Sequence, residues 1–333
     1  MSKNIICLIA KYFLVGIVLI CGIVNSASLV DSHEIGLNQE NNDYRYSFNL
    51  RSSIAKSRHS EDAEIVNYFA SKGLKMKRRI IGGAYVASEK YGFVAMLQVK
   101  LGNGLFMCGG SLISNRFVLT AAHCVSPLKQ TAPASNVTIG LGNNQMTKLS
   151  QTRALRIHVH PDWTPSIVKN DIALIEINPV SFSQELFPIP LSNASPTQAK
   201  TVYAVGWGRT STTEIAISSM LKQATLITGN INLCTSLNPN AQRNPQALIC
   251  TINNITRMDT CVGDSGGPLV GNAYATQPGT NKPSKNVLTL YGITSFGTNG
   301  YGQGDSRCSS DGSIGFYTNI AFHRNWIRSI AGN

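Results

Sequence analysis

The sequence predicts an all-β fold for the chain from residue 80 onward, and three observations carry that expectation. Short apolar and β-branched runs recur at 93–100, 110–113, 117–120, 137–140, 154–159, 172–177, 202–205, 219–226, 248–251, 268–270, 287–295 and 315–318. Gly, Pro, Asn and Ser separate them, as strands joined by turns require. Only the end has helical spacing: Ile320, Phe322, Trp326, Ile327 and Ile330 follow Asn319, which can cap a helix. Residues 80–333 suffice for a sizeable core, arranged as one all-β unit or two small barrels.

The part before residue 80 has another character. Lys3 precedes a nearly continuous apolar run, 5–24, and Asn25-Ser26-Ala27 offers small residues for cleavage. Residues 1–27 therefore read as an export signal. The competing reading, an uncleaved membrane anchor, would place the charge of Lys11 inside a span at high cost. Residues 28–79 lack cysteine and are rich in Asn and Ser, which suits a propeptide with little core of its own. One short helix fits within them, from the cap Ser60 through the acids Glu61, Asp62 and Glu64 to Gly73, with Ile65, Val66, Phe69 and Ala70 in need of a surface; a disordered linker is the alternative. The segment ends in Lys75-Met76-Lys77-Arg78-Arg79 and meets Ile80-Ile81-Gly82-Gly83. A basic run abutting an apolar pair and two glycines looks like a cleavage junction after Arg79.

Cysteine usage agrees with export. Cys7 and Cys21 would leave with the signal, and Cys108, Cys124, Cys234, Cys250, Cys261 and Cys308 remain. An even number in an exported chain favours disulfides, whose connectivity spacing alone does not give.

Three short stretches carry chemistry. The turn Gly263-Asp264-Ser265-Gly266-Gly267-Pro268 presents a serine among glycines, where the amides of Gly263 and Ser265 can turn toward a reacting oxygen. Thr120-Ala121-Ala122-His123-Cys124 holds a histidine at a strand end beside a cysteine. Asn170-Asp171 heads a very apolar strand, so Asp171 would be partly buried and need a cationic or N–H partner. Taken singly, each has an ordinary structural explanation: a tight turn, a structural histidine, a strand cap.

Together, in the order His, Asp, Ser, they resemble the trypsin-like serine proteases of the chymotrypsin family. The likeness runs from Ile80 to about Ile330 and includes Ile80-Ile81-Gly82-Gly83, Cys108-Gly109-Gly110-Ser111, Gly206-Trp207-Gly208 and Gly315-Phe316-Tyr317-Thr318. It implies two six-stranded antiparallel β-barrels with a C-terminal helix and a cleft between the barrels. It also implies His123 as general base and acid, Asp171 as its orienting carboxylate, Ser265 as nucleophile, and the amides of Gly263 and Ser265 as the oxyanion hole. Disulfides Cys108–Cys124, Cys234–Cys250 and Cys261–Cys308 follow from the same resemblance. So does activation by cleavage after Arg79, with the new amino terminus of Ile80 pairing with Asp264. Asp259, six residues before Ser265, would lie at the base of a primary pocket left open by Gly297 and Gly315, selecting Arg or Lys. The implied protein is a secreted, extracellular endopeptidase made as a zymogen and acting as a monomer, with protein or peptide substrates and protein protease inhibitors as partners.

The sequence departs from the family at Phe296, where Trp is usual, and 298–307 is longer than in simple digestive trypsins. Residues 271–286 read as an inserted loop. No cofactor or metal is expected: 141–151 contains no acid for calcium, and His158 and His160, which alternate along a strand, have no third ligand. Asn136, Asn193 and Asn254 stand in N-glycosylation sequons. The net charge of +12 divides into +4 before residue 80 (11 basic, 7 acidic) and +8 after it (18 basic, 10 acidic). Without a concentrated basic stripe or aromatic platform, no nucleic-acid partner is expected, and no membrane partner for the mature form. The principal alternative from another class is a binding protein that keeps the fold without cleaving.

Overall fold

The computed structural model describes residues 5–10, 18–23, 84–209, 216–238, 241, 244–252, 258–276, 283–298 and 313–332. The signal cleavage region, the helix expected at 60–73, the junction at Arg79 and Ile80, Asn254 and Cys308 lie outside these residues. Residues 1–46 form a unit of their own, in which β1 (Ile5–Ala10) and β2 (Val18–Ile23) pair antiparallel with Cys7 opposite Cys21. Among the described residues no helix is long and apolar enough to cross a membrane.

Beyond the short β3 (Ala84–Tyr85), the expected strands follow one another, several of them buried along most of their length. The first barrel is built from β4 (Val94–Leu101), β5 (Gly104–Leu112), β6 (Phe117–Thr120), β7 (Val137–Leu141), β8 (Ser150–Val159) and β9 (Ala173–Ile177). It closes in the order β4-β5-β6-β9-β8-β7. Leu97, Leu112, Val118, Ile139 and Ile175 share its inner face and are inaccessible to solvent. Closure leaves none of these strands with an unpaired edge, so the backbone groups of a β protein are satisfied without a covering layer.

The second barrel uses β10 (Thr201–Gly206), β11 (Lys222–Thr228), β12 (Leu248–Ile252), β13 (Pro268–Thr276), β14 (Pro283–Thr298) and β15 (Ile314–Asn319). Its order is β10-β13-β14-β15-β12-β11, closed by the pairing of β10 with β11, and β3 adds to the outer edge of β11. Val202, Leu226, Ile249, Leu269, Tyr291 and Tyr317 form its interior. The 271–286 segment expected as a loop is mostly strand. Asn272 pairs with Leu288, Ala273 with Val287, Tyr274 with Asn286 and Thr276 with Pro283, because two segments that follow each other in sequence can satisfy their backbone groups by pairing as a ribbon. A helix at Ile231–Ser236, capped by the Asn230 side chain, is also additional to the sequence expectation.

The terminal helix, Ile320–Ala331, forms where predicted. Asn319 Oδ1 accepts the Ala321 N–H at 3.1 Å, and Gly332 ends the helix in the left-handed conformation. Its buried residues Ile320, His323 and Ile327 repeat at helical spacing. Ile320 and Ile327 join the same apolar cluster as the first barrel, so the helix ties the end of the chain to the earlier half.

The barrels meet through backbone. The Gly109 N–H on β5 donates to the Ser265 carbonyl at 2.7 Å, and a Cβ on Gly109 would fall 2.6 Å from Gly267 Cα. Only glycine permits that approach. Because Leu97 is wholly enclosed by the first barrel, Leu97→Ala is expected to lower unfolding free energy by about 2–5 kcal/mol, read as a lower urea midpoint with unchanged slope.

Candidate active site

The site forms where β6 and β9 of the first barrel end against the serine turn of the second. His123 lies in a single helical turn, Ala122–Val125, directly after β6, and the Cys108–Cys124 disulfide binds that turn to β5. Asp171 precedes β9, so the β6–β9 pairing of Thr120 with Ala173 brings the two residues together. His123 Nδ1 lies 2.7 Å from Asp171 Oδ2, and the His123 backbone N–H donates to Oδ1 at 2.9 Å. The carboxylate thus fixes both the ring and its backbone, and leaves Nε2 on the open side.

Asp171 is fully buried, and its charge survives only because it is surrounded by donors. Ser295 Oγ donates to Oδ2 at 2.5 Å, and Thr318 Oγ1 donates to the Asp171 carbonyl at 2.8 Å. Burial raises the carboxyl pKa, but the His123 charge and the hydrogen bonds from His123 and Ser295 outweigh it and hold the group below its usual range. For His123, burial pushes the pKa down, yet Asp171 outweighs burial and holds it above the ordinary histidine value. Ser295 and Thr318 are second-barrel residues that sequence reasoning missed. Hydroxyl residues inside strands carry no local signal, and only the docking of β14 and β15 behind Asp171 shows their purpose.

Ser265 occupies the turn after Cys261, which is itself disulfide-bonded. Its carbonyl and His123 Nε2 flank Cys124 Sγ, at 3.6 and 3.8 Å. Gly263 has φ +99°, a conformation side chains disfavour, and this orients the turn. Among the described residues the amides of Gly263 and Ser265 have no acceptor, whereas those of Asp264, Gly266 and Gly267 are bonded to Cys261, Thr294 and Asp264 carbonyls. Two unspent donors beside the serine can therefore receive an oxyanion. Cys108, His123 and Cys124 also cluster as metal-ligand types, but the sulfurs are committed to each other in the disulfide. His158 and His160 diverge: the former neighbours Phe117, the latter His323 and Trp326.

The other expected positions that the structure describes are Asp259, Asp264, Gly297 and Gly315. Asp259 accepts from the Thr260 N–H at 2.8 Å and from Ser313 Oγ at 2.7 Å. Gly297 and Gly315 face each other across β14 and β15, next to the stacked rings of Phe296 and Phe316. Asp264 turns toward the end of β10, accepting the Gly208 N–H at 2.8 Å and the Cys261 N–H at 2.9 Å. Burial dominates its titration, these two bonds oppose the effect and Asp259 adds to it, so the carboxyl pKa rises to about 6. Asp259 and Asp264 line one small cavity, walled also by Gly206, Gly208, Lys222 and Ala224. The second expected disulfide, Cys234–Cys250, is present; the partner expected for Cys261 lies outside the described residues.

A sequence profile of the Trypsin family matches residues 80–327. The chain belongs to the trypsin family of serine proteases. It is 29% identical to the CLIP domain-containing serine protease B4 of Anopheles gambiae over 77% of this chain and 71% of that protein. It is 32% identical to the serine protease snk of Drosophila melanogaster over 76% of this chain, but that alignment spans only 57% of the fly protein. An HL collagenase structure superimposes with a TM-score of 0.61 at 24% identity, over 76% of this chain and 99% of that one, a likeness of fold.

His323 gives a pH test of the packing behind the site. The ring is 3% exposed, its Nε2 has no hydrogen-bond partner among the described residues, and it stands 5.3 Å from His160 between centroids. Burial and the neighbouring His160 lower its pKa against the opposing charge of Asp171, to about 4. Between pH 6.5 and 4 the unfolded chain binds a proton that the folded chain does not, so stability falls as pH falls through that window, by roughly 3 kcal/mol for this group. His323→Phe should remove that part of the acid destabilisation in denaturant melts taken across the same range.

Proposed function

We propose that this trypsin-family chain is a secreted endopeptidase that cleaves after Arg or Lys by a Ser265 acyl-enzyme mechanism. The observation that carries the reading is the buried Asp171–His123 pair set against a serine turn with two uncommitted amides. His123 Nε2 takes the Ser265 proton as the hydroxyl attacks the carbonyl carbon, and Asp171 holds the imidazolium that results. The oxyanion accepts from the Gly263 and Ser265 amides, each donor contributing about 3 kcal/mol to barrier lowering. His123 then protonates the leaving amine. A water deprotonated by His123 attacks the acyl carbon, the bond from that carbon to Ser265 Oγ breaks, and His123 returns the proton to Oγ as the acid leaves.

Specificity is assigned to Asp259, whose carboxylate is fixed by two donors and so presents a directed charge to a guanidinium or ammonium. Activation is assigned to cleavage after Arg79. Ala84 pairs with Gln223, and the cavity containing Asp264 is walled by the flanking Lys222 and Ala224. Ile80 is four residues upstream of Ala84, a reach of roughly 13 Å when extended. An ammonium arriving there would supply the charge that a carboxyl with pKa raised to about 6 lacks. The apolar start and the disulfides support the reading of an exported chain.

Two chromogenic peptides, ending in Arg or Phe, test these assignments before and after controlled cleavage at Arg79. Arg-selective hydrolysis is expected only after cleavage and is expected to vanish in Ser265→Ala; inactivity of correctly cleaved, folded protein would sink the enzymatic reading. Asp171→Asn should lower kcat by about 10⁴-fold with the fold intact. Asp259→Ser should reduce kcat/KM on the Arg peptide by at least about a hundredfold while sparing the Phe peptide.

A further inference from the structure

The second barrel carries a groove that the proposed chemistry does not use. It has a volume of about 530 Å³ and is walled by the far end of β11, the start of β12, the first residue of the Ile231–Ser236 helix and the first turn of the terminal helix. Pro196, Ile231, Pro245, Leu248, Ile249 and Phe322 make it apolar, and no charged side chain lines it. Phe322 is 45% exposed although Ile320, His323 and Ile327 of the same helix are buried. An exposed ring at the rim of an uncharged groove is a feature of contact surfaces. Two cations stand beside it. The Lys200 carbonyl accepts the Thr228 N–H at 3.0 Å on the groove wall, and Arg324 Nη1 donates to the Leu191 and Ser192 carbonyls at 2.9 and 3.1 Å, shortly before Ser195 and Pro196. Among the described residues neither Lys200 nor Arg324 has an acidic partner.

The chain itself contains a segment of matching chemistry. The helix that the sequence predicts over 60–73 lies outside the described residues; its spacing puts Ile65, Val66, Phe69 and Ala70 on one face, with Asp62 one turn earlier on the same side. So short a helix is marginal alone in water and needs a surface for its apolar face. The reach is sufficient. Ala84 pairs with Gln223, and Thr228 on the groove wall is five residues further along β11, roughly 17 Å away. The eleven residues from Gly73 to Ala84 extend to roughly 36 Å, which leaves slack for a protease at Arg79. Residues 28–79 contain no cysteine, so after a cut there nothing covalent would retain the segment.

We infer that this groove binds residues 60–73 of the same chain as an amphipathic helix, its apolar face against Ile231 and Phe322 and its acidic first turn toward the neighbouring cations. The inference concerns binding and is independent of whether Ser265 acts as the nucleophile. In the intact chain the tether presents the segment at an effective concentration of about 1 mM; once cut, docking is bimolecular and dilution empties the groove. Cleavage after Arg79 would then uncover an apolar surface on the second barrel in the same event that creates the new amino terminus.

The test uses a fluorescent peptide of residues 58–74 and Ser265→Ala protein in two forms. One is the intact chain; the other is cut after Arg79 by an added Arg-specific protease and freed of its amino-terminal segment by gel filtration in dilute solution. Anisotropy is expected to show half-saturation of the cut form at about 10 µM, and about a hundredfold weaker binding to the intact chain, whose groove is already filled. Phe69→Ser in the peptide, and Phe322→Glu or Ile231→Glu in the protein, should each weaken binding to the cut form at least about tenfold. Hydrogen exchange gives a reading that needs neither cleavage nor a groove variant: amides of 228–231 and 246–250 should be protected in the intact chain and lose that protection in intact Phe69→Ser protein. Equal binding to both forms, no binding to the cut form, binding indifferent to Phe69→Ser, or exchange unchanged by Phe69→Ser overturns the inference. Dimerisation of the cut form that is lost in Phe322→Glu, without peptide binding, would give the groove to a second copy and overturn it as well.

Discussion

Everything in the cleft depends on two barrels meeting with no side chain between Gly109 and Gly267. The Gly109 amide holds the Ser265 carbonyl at 2.7 Å, and the same close contact sets the depth at which the serine turn sits against β5 and β6. The candidate site takes His123 and Asp171 from one barrel and Ser265 from the other, so this contact sets how they meet. Thr120 Oγ1, which donates to the Gly109 carbonyl at 2.8 Å, braces the first-barrel side of the same junction.

Two buried carboxylates near the serine turn have contrasting surroundings. Asp171 is given a histidine and the Ser295 hydroxyl, which hold it ionised where burial alone would not. Asp264 has two backbone amides but no cation among the described residues, and its pKa rises in consequence. The first environment is complete within the folded barrels; the second is suited to completion by a charge brought from elsewhere. The contrast is electrostatic, since both groups are deeply enclosed.

The serine turn, the histidine after β6 and the acid before β9 were legible in the sequence because each sits in a short motif at the end of a strand. The barrels were legible as strands, and their pairing into two closed units came from the family resemblance. Ser295, Thr318 and Ser313 were not legible. Their hydroxyls act across contacts made by strands distant in sequence, and a serine or threonine in a strand looks the same whether it meets solvent or a buried carboxylate. The 271–286 segment failed for a related reason: its polar, turn-forming composition describes a two-sided ribbon as well as a loop. Asn230 is a fair cap in sequence, but a helix of six residues is too short to reveal periodicity.

That ribbon changes what kinds of variation the molecule can absorb. Pairing between β13 and β14 continues to Thr276 and Pro283, past the strand residues that enclose Leu269 and Tyr291. The core and the serine turn lie at the base of this extension, so its far end can be lengthened, shortened or exchanged at small entropic cost. Natural divergence and deliberate grafting would both find the same opening there: a site for new sequence attached to a protease, separated from the reacting atoms by its own paired stem.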